Sequence, residues 1–318
     1  MEARTPEEEL EYRRYLRKRI RMRKRRRKVM IARTIVAVVT LVIVFFVFYG
    51  IGRLTGPIGG GSSAGKEVVT KEPVVTPFVV DVPEGYEKIY DKLYAMREDY
   101  KEIDDILLNI GQYPKDVLRL LIHNTETLEF VSDYLVHLDD DEASGEITGE
   151  EVQKLSPPLL QQWDKRWGYV KYGNNIIAIN GCGPTCMSMV YTGLTGNLDR
   201  SPAQMAEFCI DNDYYTDDSG TSWSFMLNGA RKLGLNAERI SIGKDAITEK
   251  LKSGGLVICS MKPGDFTTTG RFIVLRGVTE EGKLLINDPN SISRSEKEWE
   301  FDTVLKQVKA AWAYSYTN

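Results

Sequence analysis

The residue best suited to covalent chemistry in this chain is Cys182, which stands between Gly181 and Gly183 in the run GCGPTC. Pro184 and Thr185 follow it and open a helix, so the thiol lies near the positive end of a helix dipole, where a thiolate is favoured. The flanking glycines leave its sulfur approachable, which is how a cysteine nucleophile is built. Most free cysteines are small packing residues instead, and Cys186, on the interior side of the same helix, suits that role better. Cys209 and Cys259 complete the set, and a disulfide between them is allowed but not fixed by spacing. With only His123 and His137 as histidines, no zinc ligand set can be read, and neither a metal nor a cofactor is expected.

A nucleophile at a helix start needs a base and an orienting group held opposite it by another element. After GCGPT, the apolar stripe Met187, Val190, Tyr191 and Leu194 predicts a helix that Gly196-Asn197 ends. Residues 202–210 and 222–233 are shorter helix candidates. Past Gly255 the pattern turns to strands, LVICSM, RFIVLRGV and KLLIND, each rich in β-branched residues and bounded by Gly, Pro or Asp. Helices first and a mainly antiparallel sheet afterwards make an α+β unit. The short turn TEEG joins the second and third strands as a hairpin, and pairing about Glu280 and Glu281 sets Arg271, at the start of one, beside Asp288, at the end of the other.

These runs resemble cysteine peptidase family thirty-nine, in its stand-alone C39-like branch, related to the domains that trim double-glycine leaders from bacteriocin precursors. The resemblance extends over nearly all of residues 158–316. It is carried by LLQQWDKRWGY from Leu159, GCGPTCMSMV, GTSWSFMLNGA from Gly220, KPGDFTTTGRFIVL from Lys262, INDPNS from Ile286 and the Trp-containing tail. It implies a papain-like fold in which cysteine, histidine and aspartate do the work. Carried over residue by residue, the nucleophile falls on Cys182 and the orienting carboxylate on Asp288. The histidine position, directly after Gly270, is filled by Arg271.

Arginine stays charged at neutral pH, so Arg271 neither accepts a thiol proton nor returns one to a leaving amine. Its guanidinium is instead expected to pair with Asp288 and to favour the Cys182 thiolate by its charge; the plainer reading is a decayed site with Arg271 turned to solvent. Gln162 is a weak candidate oxyanion donor, since an amide suits that work. His123 and His137 sit on or beside apolar stripes upstream, where a structural role is the ordinary one. Of Trp163, Trp167, Tyr169, Tyr214, Tyr215 and Trp223, at least half are expected in the core and the rest could line a peptide or glycan groove.

The remainder of the chain sets where this domain works. The net charge of -3 conceals 14 Lys/Arg against 5 Glu in residues 1–33, and 28 basic against 40 acidic residues after them. Residues 34–52, TIVAVVTLVIVFFVFYGIG, are uncharged and would make about 28 Å of helix, enough to cross a bilayer. The basic block from Arg13 to Lys28 stays cytoplasmic, and the segment is too long for a secretory signal core, so it reads as an uncleaved anchor. Anionic headgroups are its expected partner through residues 13–52; no nucleic acid is expected. Residues 53–83 read as a linker, and 84–155 as a small helical region of two or three helices. That region ends in an acidic run from Asp139, which lacks the spacing of a calcium loop and reads as solvated. The α+β unit then fills 156–318.

Two functions follow. The first is a membrane-anchored, extracytoplasmic pseudopeptidase that binds a peptide, a protein or a wall component, with a bacterial surface implied by the resemblance. The second is an active thiol hydrolase that cleaves peptides with Cys182 as nucleophile and another base. Arg271 favours the first; the presence of Cys182 and Asp288 favours the second. A purely structural surface protein is the third class, marked by a Cys182 that reacts with no electrophile.

Overall fold

The structure, a computed structural model, describes residues 80–317 apart from 139, 141, 155, 218 and 219. Among the described residues no helix is long and apolar enough to cross a membrane. The expected anchor at 34–52 lies outside them, as do the basic block and most of the linker. Val80–Asn318 form one compact unit, so the upstream helices and the α+β segment share their packing.

The upstream part consists of α1 (Glu87–Ala95), α2 (Ile103–Leu107), α3 (Lys115–His123) and α4 (Leu128–Asp133). Their apolar stripes bury Leu93, Ile106, Leu118, Leu121 and Val131. Phe130 of α4 stacks on Tyr169 with ring centroids 4.2 Å apart, and the Tyr169 hydroxyl donates to the Phe130 carbonyl at 2.9 Å. The acidic segment that follows is exposed at most of its described residues and departs from the expected solvated loop only at its end. Its end coils into α5 (Gly149–Lys154), and Glu151 there takes the Arg166 guanidinium at 2.6 Å. A carboxylate and a guanidinium of opposite charge at that spacing hold the segment down.

The long helix is α7 (Cys182–Thr195), preceded by two short strands, β1 (Lys171–Tyr172) and β2 (Asn175–Ile176), and the single turn α6 (Ile177–Asn180). It stops where expected, at Gly196, whose φ of +74° ends a helix at little cost to glycine. Then come α8 (Pro202–Asp211), the two-residue strands β3 (Tyr215–Thr216) and β4 (Gly220–Thr221), and a π-helical turn at Phe225–Gly229 that runs into α9 (Ala230–Lys232).

Five antiparallel strands make the main sheet, in the order β5-β9-β6-β7-β8. Their ranges are β5 (Asn236–Ile240), β6 (Leu256–Met261), β7 (Arg271–Val278), β8 (Leu284–Asn287) and β9 (Val308–Ser315). All six residues of β6 are buried, and the period of two divides them between two cores. Leu256 and Ile258 join Cys186, Met187 and Val190 of α7; Val257, Cys259 and Met261 join Ile247 and Leu251 of α10 (Lys244–Lys252). Two short helices, α11 (Ile292–Glu296) and α12 (Phe301–Leu305), lie between β8 and β9. The three apolar runs read as strands form β6, β7 and β8. The sequence reading passed over β5, which is a polar edge strand, and β9, whose three alanines score poorly for strand although both its faces are covered.

Candidate active site

Cys182 is the first residue of α7, with Gly181 at the N-cap. The flanking glycines serve packing rather than exposure. A Cβ on Gly183 would stand 2.7 Å from Thr221, and one on Gly181 would stand 2.5 Å from the Ile177 carbonyl oxygen, both closer than real side chains approach. Thr221 is itself fixed by a 2.8 Å hydroxyl contact with the buried Tyr172. The backbone thus threads a slot, and the thiol between the glycines ends up half-buried.

Burial pushes the Cys182 thiol above its ordinary range; the Arg271 guanidinium and the Phe272 and Gly183 amides pull it down, while Asp288 pushes up as well. Burial wins, so the helix start does not by itself produce the thiolate that the sequence led one to expect. The other three cysteines are wholly buried free thiols. Cys209 and Cys259 belong to different cores, and no disulfide joins them.

Arg271 opens β7, paired with Met261 across the sheet. Its Nη1 donates to Gln162 Oε1 at 3.3 Å, and its buried Nε has no hydrogen-bond partner. Gln162, 1% exposed, spends its amide hydrogens on the carbonyls of Ala178, at 2.6 Å, and Ile179, at 3.5 Å. In this arrangement it accepts from Arg271 and presents no free donor to an oxyanion.

Asp288 follows β8 and is fully buried. Its carboxylate does not take the Arg271 guanidinium as expected. Oδ2 accepts from Arg294 Nε at 2.6 Å, and Oδ1 from the Asn290 amide at 2.8 Å. Arg294 sits on α11, one helical turn beyond Ser291, whose side chain caps that helix. Sequence reasoning missed Arg294, because nothing in SISRSE signals that the chain doubles back over Asp288. The hairpin itself forms, with Val274 opposite Asn287 and a bulge between Leu275 and Gly277.

Neither histidine joins this cluster. His123 is exposed at the end of α3. His137 stacks on Tyr169 at 4.2 Å and faces Asp140 at 2.6 Å. Of the six aromatics, Trp167, Tyr169 and Tyr214 are core, while Trp163 and Tyr215 are half-buried and Trp223 is exposed. Among the described residues no group of His, Cys, Asp and Glu could hold a metal ion.

The fold and the site define a class: an α+β domain of cysteine-peptidase type, with a thiol at the start of its long helix and a charged strand end facing it. The chain belongs to the Peptidase_C39 like family, whose model matches residues 154–318. No curated protein matches it.

Proposed function

We propose that this protein is a membrane-anchored, extracytoplasmic pseudopeptidase: its C39-like domain binds a peptide, protein or wall component and does not hydrolyse it. The observation that carries the reading is Arg271. At the family's histidine position, beside the thiol, stands a guanidinium that cannot exchange a proton at neutral pH. Burial keeps Cys182 protonated, which a peptidase would offset with a base and this site does not. Asp288 is occupied by Arg294 and the Asn290 amide, so its retention has a structural reason and no longer argues for hydrolysis. The anchor rests on the uncharged run 34–52 and the basic block before it.

The test compares wild type, Arg271→His and Cys182→Ala for cleavage of a mixed peptide library. Wild type is expected to be silent, because a missing base and acid each cost about 100- to 10,000-fold. Imidazole at 271 titrates near neutral pH and is expected to restore measurable, Cys182-dependent hydrolysis. Efficient cleavage by wild type that Cys182→Ala abolishes would make the domain a working thiol hydrolase with another base.

A further inference from the structure

A cavity of about 680 Å³ lies where α4 and α5 meet the segment 159–165, β7 and α11, and neither Cys182 nor Arg271 lines it. Its size suits a small ligand or a few residues of peptide. Leu159, Phe130 and Trp163 supply an apolar wall.

Two polar side chains that line it each hold one buried atom without a hydrogen-bond partner. Gln161 is 7% exposed; its Nε2 reaches the Asp288 carbonyl at 3.4 Å, while its Oε1 has no hydrogen-bond partner. Arg276 lines the same cavity with its Nε buried and unpartnered, and among the described residues no carboxylate pairs with it. Buried polar atoms in native folds are nearly always satisfied, so each such atom needs an explanation. Arg276 is also the extra residue of the β7 bulge: Leu275 pairs with Ile286 and Gly277 with Leu285, leaving Arg276 out of the ladder. Bulges re-aim a side chain, and this one carries a cation into a half-buried place that disfavours its charge.

Four of the five carboxylates around the cavity are otherwise engaged. Glu126 caps α11, Glu129 holds Lys165, and Glu151 and Asp164 share Arg166. Glu296 is exposed at the rim. What remains is a guanidinium without an anion and an apolar wall in the same cavity.

We propose that this cavity is a second ligand site, in which the Arg276 guanidinium takes a peptide carboxylate and an apolar residue of the same peptide lies against Leu159, Phe130 and Trp163. The carboxylate is a chain terminus or an acidic side chain. The site goes beyond the pseudopeptidase reading and does not depend on whether Cys182 hydrolyses anything.

The test is calorimetric titration of the full chain in detergent micelles with three probes: acetyl-Leu-Leu with a free carboxylate, its C-terminal amide, and acetyl-Leu-Glu amide. The free acid is expected to bind at least about tenfold more tightly than its amide, as one charge-assisted hydrogen bond requires. Tight binding of acetyl-Leu-Glu amide assigns the carboxylate to a side chain, and weak binding assigns it to a terminus. Arg276→Gln should weaken the acid about tenfold, Arg276→Lys less, and Cys182→Ala should not weaken it. Measurable and equal affinity for acid and amide overturns the proposal, as does failure of both carboxylate probes to bind at about 5 mM. Loss of binding in Cys182→Ala but not in Arg276→Gln also overturns it. If Arg276→Gln fails to fold, the acid-against-amide comparison on wild type still decides. Peptide cleavage by wild type would overturn the pseudopeptidase reading and leave this one standing.

Discussion

Asp288 is bound to Arg294, six residues ahead of it in the chain, with Arg294 Nε 2.6 Å from Oδ2. The carboxylate is fully buried and the guanidinium about three-quarters so. Removing one partner of such a pair strands a charge away from water. Arg294→Leu is therefore expected to destabilise the fold by about 3 kcal/mol, read as a lowered urea midpoint. Adding Asp288→Asn should recover part of the loss, since the Asn side-chain oxygen still accepts from the Asn290 amide. An unchanged midpoint in Arg294→Leu would show that the pair contributes nothing.

The thiol makes a prediction of opposite sense to the sequence expectation. Burial holds the Cys182 pKa above its ordinary value, so the reactive thiolate is scarce at neutral pH and grows as pH rises. Iodoacetamide labelling of Cys182, followed by peptide mass spectrometry, should rise with a midpoint above that of a free cysteine. Arg271→Met removes a cation that favours the thiolate and should push the midpoint higher still. A wild-type midpoint below that of free cysteine would contradict the burial argument.

Glu126, between α3 and α4, reaches across to α11. It accepts from the Ser291 hydroxyl at 2.8 Å, the Ile292 amide at 2.6 Å, and the Ser293 amide and hydroxyl at 3.2 and 2.6 Å. Burial raises its pKa, but the Ser293, Ile292 and Ser291 hydrogen bonds outweigh this and hold it below the usual value. A depressed folded pKa gives stability that is present above the unfolded value and lost as pH falls through the folded one. Below about pH 4.5, then, wild type should lose stability that Glu126→Gln, which cannot ionise, does not lose. At neutral pH Glu126→Ala should cost about 1–2 kcal/mol by thermal melting. Parallel acid-stability curves for wild type and Glu126→Gln would show that the carboxylate charge does not matter to α11.

Topology has its own measurement. With residues 34–52 spanning and residues 13–28 held inside, protease added to intact cells should remove everything after Arg53. Full protection, in cells whose known surface proteins are digested, would reverse the orientation or remove the anchor.

What could be read from the sequence was local in origin. The stripe after GCGPT and the stop at Gly196 write α7, because a helix needs only neighbours three and four residues apart. The β-branched runs write β6, β7 and β8, and the short TEEG turn leaves a hairpin as their simplest connection. From these came the neighbourhood of Cys182, Arg271 and Asp288, and the motifs between them gave the family. Tertiary structure decided what no local pattern encodes. Asp288 turns to Arg294 because α11 folds back over it, a choice set by packing and by the Glu126 cap from a helical region more than 160 residues earlier. Gln162 faces Arg271 because the carbonyls of Ala178 and Ile179 claim its amide. The Cys182 thiol is disfavoured as an anion because the Gly181 and Gly183 contacts bring the walls close. Ala-rich β9 lies mid-sheet because burial on both faces outweighs weak strand propensity. Each depends on which distant atoms arrive alongside, and a charge or a polar side chain takes its role from those neighbours.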